Sequence, residues 1–296
     1  MSGWLAIDAA HTADVLSTHR DPLRALADAE IPAIILRGAY PAGDCAGLVR
    51  RFVERNLMRD PQTPAPDGAR SRIDIGTSLG NRGADRAGFF AHAADTERLF
   101  DGLFDDFTDP VTCVYDNLQA LAGDKRVVTA HEPDGRRYGP AIFRVHYDGH
   151  AYRPHFDHVV LREKRFDYAV SRFTNQFAGI LCVQNAASLS TTQGVLHHCI
   201  WTEEIDPHIT AGTFHQYAHE QQIGHCRVEL EPGDLYFFNT RLIHEVPAVG
   251  GDEPRIVLAV FIGYEPEDPD VTFSFATAAE PGDSMAAVVG VLRPGP

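Results

Sequence analysis

The sequence predicts a single, mainly β domain with flanking helices, whose core is a β-sandwich or a barrel such as a jelly roll. The chain has 296 residues, which is long enough for one large β-rich domain with helical additions. After Lys125, short runs of strand-forming residues follow one another, and turns such as Asp148-Gly149 and Pro232-Gly233 separate several of them. Because no long helical pattern lies between these runs, a sandwich or barrel is favoured.

The N-terminal part, residues 1–122, is predicted to be mixed, with helices prominent. Its predicted elements are a strand at 31–36, a helix from Asp44 to about Asn56, and helices at 94–106 and 110–122. The stretch 59–70 is rich in Pro, Asp and Gly, which predicts a surface loop.

The β core is predicted to span residues 123–275. Its predicted strands are 126–130, 140–147, 151–161, 174–184, 195–201, 226–230, 234–238 and 255–263. The stretch 186–225 is less regular, polar and rich in histidine, so we expect an insertion or lid between strands.

Composition excludes several classes of protein. Lys plus Arg is 26 and Asp plus Glu is 41, so the formal charge is −15, which disfavours binding to nucleic acid or to anionic lipid. The five cysteines are odd in number and form no CxxC motif, so buried reduced thiols are predicted. The N-terminus shows no signal-peptide pattern, and no apolar stretch is long enough for a membrane span. We therefore predict a cytoplasmic protein.

Two segments carry the residues typical of a metal site. His155 and Asp157 are two apart, so in a strand both point to one face while Phe156 points away into packing. An HxD triplet alone is weak evidence, but residues 230–258 add a turn, an apolar strand, His244, a loop and a strand that begins with Arg255. Two histidines and one carboxylate on one face of a metal leave three positions open, an arrangement suited to Fe(II) and oxygen chemistry.

The segments together resemble the 2-oxoglutarate/Fe(II) dioxygenase superfamily, on the branch that includes prolyl-4-hydroxylase-like enzymes. The similar parts, within roughly residues 140–263, are Tyr147 and Gly149 before the HxD motif, a PGD-x-x-x-F strand that ends at Phe238, an H-E-V-x-x-V turn from His244 to Val249, and Arg255. The resemblance implies a double-stranded β-helix, the jelly-roll or cupin-like barrel.

The resemblance also implies the roles of individual residues. His155, Asp157 and His244 would hold Fe(II), and Arg255 would pair with the distal carboxylate of 2-oxoglutarate, which a planar guanidinium suits. Tyr147 matches a position that often hydrogen-bonds this cosubstrate in related hydroxylases. Gln184, on the strand after the HxD motif, is a further candidate for the cavity.

The implied activity is hydroxylation of an unactivated C–H bond of a small molecule, such as an amino acid derivative or a natural-product intermediate, with Fe(II), 2-oxoglutarate and O₂. Related halogenases carry a small residue where this chain has Asp157, and the freed position takes chloride, so hydroxylation is favoured over halogenation. Desaturation or ring formation with the same triad stays open, as do the substrate's identity and the oligomeric state.

Three alternatives belong to other classes of protein. A non-catalytic cupin-like binding protein and an isomerase-type metal enzyme share the predicted barrel, but a mere binding barrel has no need for Arg255. A zinc hydrolase would use the same triad, yet no general base is identifiable. The sequence around His215, His219, His225 and Cys226 has irregular spacing, so we interpret these histidines as solvated lid residues rather than as a zinc site.

Overall fold

The structure is a computed structural model that describes residues 3–63, 65–66, 68–82, 84–186 and 192–273. Residues 187–191 of the predicted insertion and residues 274–275 of the predicted core lie outside the described residues. The strands are β1 (Ile7–Ala9), β2 (Ala33–Leu36), β3 (Arg72–Gly76), β4 (Arg126–Thr129), β5 (Ile142–His146), β6 (Tyr152–His155), β7 (Asn175–Gln184), β8 (Thr192–Ile200), β9 (His225–Glu229), β10 (Leu235–Asn239), β11 (Leu242–Val246), β12 (Arg255–Tyr264) and β13 (Asp270–Phe273). The helices are α1 (Thr12–Thr18), α2 (Pro22–Ala27), α3 (Ala42–Glu54), α4 (Leu79–Arg82), α5 (Arg86–Phe100), α6 (Pro110–Leu121), α7 (Asp206–Thr210) and α8 (Phe214–Glu220), with a 3₁₀ turn at Ala169–Arg172.

The strands form a double-stranded β-helix, so the predicted fold class is confirmed. From β5 to β12 the chain crosses repeatedly between two sheets, one with the order β5-β12-β7-β10 at its centre and the other with the order β6-β11-β8-β9. Neighbouring strands of this core are antiparallel. The larger sheet has nine strands in all, because β1, β2, β3, β4 and β13 extend it.

The N-terminal helices cover the outer face of the larger sheet. Alternation along the strands sends Phe143, Leu181 and Phe237 outward, where they pack with Phe52 of α3 in a buried apolar cluster. The inward side chains of the same strands, such as Ile180, form a second cluster inside the barrel. The sheet is thus apolar on both faces, and its long strand β12 is buried throughout.

The predicted insertion at 186–225 is shorter in the structure. Residues 192–200 form β8, which pairs with β9 and β11 inside the smaller sheet and is therefore part of the barrel. Gly194 and Leu196, which are buried and two residues apart, both face the barrel cavity. This two-residue period is typical of a strand and not of a surface loop. The inserted segment is 201–224, which carries the short helices α7 and α8.

The inserted segment has a small apolar core of its own. Phe214 and Ala218 of α8 pack with Ile205, Phe156 and Ile243. Phe156 stacks on Trp201 with ring centroids 4.4 Å apart, so the residue between the two proposed ligands His155 and Asp157 does point into packing, as predicted. Within the part of the chain that the structure describes, no helix has the length and apolar character needed to cross a membrane.

Candidate metal centre and cavity

The structure brings His155, Asp157 and His244 together at one end of the barrel. His155 ends β6 and is the direct cross-strand partner of His244 on β11. The Nε2 atoms of His155 and His244 lie 4.0 and 3.6 Å from Asp157 Oδ2, and one ligand atom from each residue lies within 4.8 Å of the others. The three predicted metal ligands therefore converge on one point.

Hydrogen bonds to the backbone orient both imidazoles. The Nδ1 atoms of His155 and His244 lie 2.7 and 2.8 Å from the carbonyl oxygens of Arg153 and Leu242. A carbonyl only accepts, so in each ring Nδ1 carries the hydrogen and the lone pair of Nε2 faces the point shared with Asp157. This is the usual way in which a protein fixes the tautomer of a metal-binding histidine.

Asp157 is held in place as an anion. Its backbone N–H donates to the carbonyl of Thr240, and its Oδ1 accepts from Arg162 Nη1 at 2.7 Å, which leaves Oδ2 facing the histidines. Burial alone would raise the pKa of Asp157, but the positive charge of the Arg162 guanidinium opposes this effect, and the pKa is held well below its usual value. Burial lowers the pKa of His155 to about 3. The ligand atoms of His155 and Asp157 are thus free of protons at neutral pH, as metal binding requires.

The triad opens into a cavity of about 50 Å³ that a buried arginine also lines. Arg255, the first residue of β12, lines this cavity and is 6% exposed. Its Nε donates to Gln193 Oε1 at 2.6 Å, its Nη2 donates to the Gln193 carbonyl at 3.2 Å, and its Nη1 lies 3.1 Å from His146 Nδ1. These partners are neutral, so the positive charge of Arg255 is available to an anionic ligand.

The arginine also decides the proton positions of its neighbours. Because Arg255 only donates, His146 Nδ1 must accept, and the hydrogen of this neutral imidazole sits on Nε2. Burial, followed by the charge of Arg255, lowers the pKa of His146 well below its usual value, which keeps the ring neutral. His146 Nε2 lies 3.0 Å from the hydroxyl of Tyr152 and donates to it. The hydroxyl hydrogen of Tyr152, which lines the cavity, is then available to another acceptor.

Comparisons with known proteins decide the family. The chain matches the family described as "Carrier-protein-independent halogenase WelO5" over residues 1–273. The chain belongs to this family. The predicted 2-oxoglutarate/Fe(II) oxygenase superfamily is thereby confirmed, with Fe(II), 2-oxoglutarate and O₂ as its cofactors, whereas the prolyl-4-hydroxylase-like branch stays a prediction. No curated protein sequence matches the chain significantly.

Solved structures share the fold. One is an N-substituted L-amino acid dioxygenase from Burkholderia ambifaria AMMD in complex with alpha-KG, with 14% identity and a TM-score of 0.54. A second structure of a dioxygenase of the same description and source has 17% identity and a TM-score of 0.53. Each alignment covers 86% of this chain and 90% of the other. At these identities the likeness shows the fold alone.

Two of the cofactor residues predicted for this WelO5-family chain lie outside the cavity. Tyr147 follows the inward-facing His146 by one residue, so its side chain turns to the opposite face and packs in the outer core. Its hydroxyl accepts from the Arg59 backbone N–H at 2.8 Å, and the Arg59 guanidinium lies 3.5 Å from its ring centroid. Gln184 ends β7, and its amide donates to the Pro254 carbonyl at 2.8 Å. Both side chains thus contact other parts of the protein, so their positions do not support a cosubstrate role, which stays a prediction for these two residues.

Several residues that line the cavity or contact Arg255 had no primary role in the prediction from sequence. Arg144 and His146 alternate along β5 and face inward, so the alternation of that strand was a usable signal. Tyr152 begins β6, three residues before His155. Gln193 reaches Arg255 only through the pairing of distant strands, which gave no local signal.

A second, larger cavity adjoins the first on the side of the inserted segment. It has a volume of about 450 Å³ and shares Tyr152, Glu245 and Val246 with the metal cavity. Its other walls come from the segments on either side of the triad and from α7 and α8, with Ile209 and Phe214 among them. The inserted segment, which was predicted to be an insertion or lid, thus forms one wall of this cavity.

Proposed function

We propose that the protein is a Fe(II)- and 2-oxoglutarate-dependent oxygenase that hydroxylates an unactivated C–H bond of a small molecule. The observation that carries the proposal is the carboxylate of Asp157, which lies between two imidazoles whose Nε2 lone pairs face it. Two nitrogen donors and one anionic oxygen fit Fe(II) and leave one side open to ligands. Iron bound there, with its cosubstrate, supplies activation of O₂ through oxidative decarboxylation of 2-oxoglutarate to succinate.

The residues around the triad support the binding of 2-oxoglutarate. Arg255 offers a fork of N–H donors to the distal carboxylate, and its neutral partners Gln193 and His146 hold that fork in one orientation. Tyr152 offers a hydroxyl hydrogen on the same side of the cavity. Arg144 lines the same cavity and adds a second positive charge. The cavity thus favours a small dianion with its two ends at the iron site and at Arg255.

Apolar side chains enclose the reaction site. Ile180, Phe238, Val257 and Phe261 line the walls between the triad and the arginines. Apolar walls exclude water from the reacting centre and strengthen the charge interactions within it. The role of the chain is therefore to bind, orient and shield, while iron and cosubstrate supply the oxidation.

The substrate is proposed to occupy the second cavity. Its volume suits a molecule of the size of an amino acid derivative or a natural-product intermediate. It meets the metal cavity at Glu245 and Val246, beside His244, so a bound molecule reaches the iron site from there. The formal charge of −15 supports the proposal that the protein binds neither nucleic acid nor anionic membranes.

Halogenation is the second candidate, and the family description favours it. Asp157 weighs against it, because a carboxylate on iron occupies the position that a chloride would need. Desaturation and epimerisation use the same triad and are separate outcomes of the test.

The test is a turnover assay with the Fe(II)-loaded protein, 2-oxoglutarate, O₂, chloride and a panel of amino acid derivatives and natural-product intermediates. Succinate release identifies a substrate, and mass spectrometry of its product identifies the reaction. We expect the gain of one oxygen atom, with and without chloride. A chlorinated product from the wild-type enzyme, or a product without added oxygen, would overturn the proposal of hydroxylation.

The Asp157→Gly variant is the matched control. It removes the carboxylate and leaves both imidazoles, so we expect weaker iron binding, no hydroxylation and a position open to chloride. Wild-type hydroxylation together with loss in this variant supports the role of Asp157.

A further inference from the structure

A second group of metal-type ligands lies beside the first and plays no part in the proposed reaction. It consists of His197 on β8, His215 on α8 and Glu245 on β11. His197 Nε2 lies 3.1 Å from Glu245 Oε1, and His215 Nε2 lies 3.2 Å from Glu245 Oε2. One ligand atom from each of the three lies within 4.8 Å of the others. We call this group the lid cluster.

Packing fixes the lid cluster from two sides. His197 is 5% exposed, and its ring packs edge-on against Phe214 with centroids 5.0 Å apart. Phe214 is buried and directly precedes His215, so the contact that anchors α8 also brings His215 to Glu245. The His215 side chain is 63% exposed, so a fourth position at this cluster opens to solvent.

The separations between the possible ligand atoms are near those of a metal site with three protein ligands and one open position. Zinc bonds of about 2.0–2.2 Å in a tetrahedron place neighbouring ligand atoms roughly 3.3–3.6 Å apart. In the lid cluster the two histidines contact different oxygens of Glu245, at 3.1 and 3.2 Å, and one ligand atom from each of the three residues lies within 4.8 Å of the others. Only small shifts of the side chains separate the present arrangement from one that binds a metal ion.

We propose that the lid cluster is a second metal site, which binds a divalent ion of the zinc class through two imidazoles and one carboxylate. The donor set of two nitrogens and one oxygen is typical of zinc with one open position. The three ligands come from two barrel strands and from the inserted helix α8. A bound ion therefore clamps the inserted segment to the barrel, next to the second cavity, which His215 and Glu245 also line.

This proposal corrects part of the interpretation from sequence. His215 is one of the histidines that we interpreted as solvated, and the structure gives it a carboxylate partner. The other members of that sequence group are not in the cluster: His219 is exposed on α8, and His225 and Cys226 do not belong to the group whose ligand atoms lie within 4.8 Å of one another. The competing explanation is a carboxylate that is hydrogen-bonded between two imidazoles without any ion.

The experiment counts metal sites with Zn²⁺ and Co²⁺ alone, without substrate. Metal-free wild-type protein and the variants His155→Ala, His215→Ala and His155→Ala/His215→Ala are equilibrated with Zn²⁺, and bound zinc is measured after removal of free ion. We expect two ions per chain in the wild type, one in each single variant and none in the double variant. Co²⁺ bound to His155→Ala should show the intense visible absorption of a tetrahedral site.

His219→Ala is the control, since this histidine lies on the same helix outside the cluster, and it should bind zinc as the wild type does. His215 is largely exposed, so its truncation should leave the fold intact, which circular dichroism verifies. Zn²⁺ should also slow amide hydrogen exchange of α8 in His155→Ala and not in the double variant. A single zinc site in the wild type, or a second ion that survives His215→Ala, would overturn the proposal and leave the hydrogen-bonded cluster.

Discussion

The replacement Arg255→Ala tests the cosubstrate site directly. Arg255 is buried, its hydrogen-bond partners are neutral, and it lines the cavity that begins at the iron triad. The variant removes the fork that we assign to the distal carboxylate of 2-oxoglutarate and leaves His155, Asp157 and His244 untouched. We therefore expect a large loss of cosubstrate affinity and little change in iron affinity.

The size of the effect follows from the surroundings of Arg255. Truncation of one partner of a buried charge pair costs ~2–5 kcal/mol, and about 1.4 kcal/mol corresponds to a tenfold change in Kd. Arg144 lines the same cavity and keeps one positive charge there, which places the expected loss near the lower end of this range. The Kd for 2-oxoglutarate should rise about 100-fold. Arg255→Lys keeps the positive charge and loses the fork of N–H donors, so its Kd for 2-oxoglutarate should lie between those of the wild type and of Arg255→Ala.

The assay is an anaerobic titration of the Fe(II)-loaded protein with 2-oxoglutarate, followed by the visible charge-transfer band of the chelate. Arg172→Ala is the control, because Arg172 lies on the surface in an ion pair with Asp268. The variant Arg255→Ala leaves acceptors on Gln193 and His146 without their donor, so its thermal stability is measured alongside. Unchanged affinity in a folded Arg255→Ala protein, with a loss in Arg144→Ala instead, would refute the assignment and give the role to Arg144.

Three further predictions rest on other parts of the molecule. Tyr152→Phe removes the hydroxyl that we infer to donate into the cavity, and 2-oxoglutarate affinity should fall about tenfold in the same titration; unchanged affinity would show that this hydrogen does not reach the cosubstrate. Replacement of residues 203–222 by a short Gly/Ser linker removes α7 and α8, so substrate hydroxylation should be lost while uncoupled succinate release persists. Normal hydroxylation by this variant would indicate that the N-terminal region determines substrate specificity instead. Phe143→Ala should lower the free energy of unfolding by ~3–5 kcal/mol in denaturant titrations, because this ring is fully buried against Phe52 and Phe100. A loss below about 1 kcal/mol would show that neighbouring side chains move in and fill the space that the ring leaves.

Much of the barrel was predictable because its strands carry their own signals. The runs that contain β5, β7, β10 and β12 are apolar, bounded by turns and short, and each was predicted close to its observed position. The HxD spacing predicted that His155 and Asp157 share one face of a strand; the structure brings them together, but β6 ends at His155 and Asp157 lies just after the strand. Strand β11 was not predicted as a strand, because in five residues it carries His244 and Glu245 and gives little apolar alternation.

The remaining parts of the site depend on contacts between distant residues. Tyr147 and Tyr152 are both plausible cavity tyrosines in the sequence, and only the exact end of β5 decides that Tyr147 turns outward. Gln193 meets Arg255 from 62 positions away. Glu245 and His215 meet only because the inserted helix folds back over β11. No local periodicity reports such contacts, so side-chain partners were less predictable than strands.

Strand β11 links the two proposed metal sites through adjacent residues. In a regular strand His244 and Glu245 would point to opposite faces, and only one of them would border the cavity. The pairing of β11 shifts register on both sides of His244, against β6 and against β8, and such irregularities re-aim side chains beside active sites. His244 can therefore point toward His155 and Asp157. Its neighbour Glu245 borders both cavities and contacts His197 and His215. A change at the inserted helix that moves Glu245 acts on the backbone that holds His244, so variants of His215 should be measured at the iron site as well as at the lid cluster.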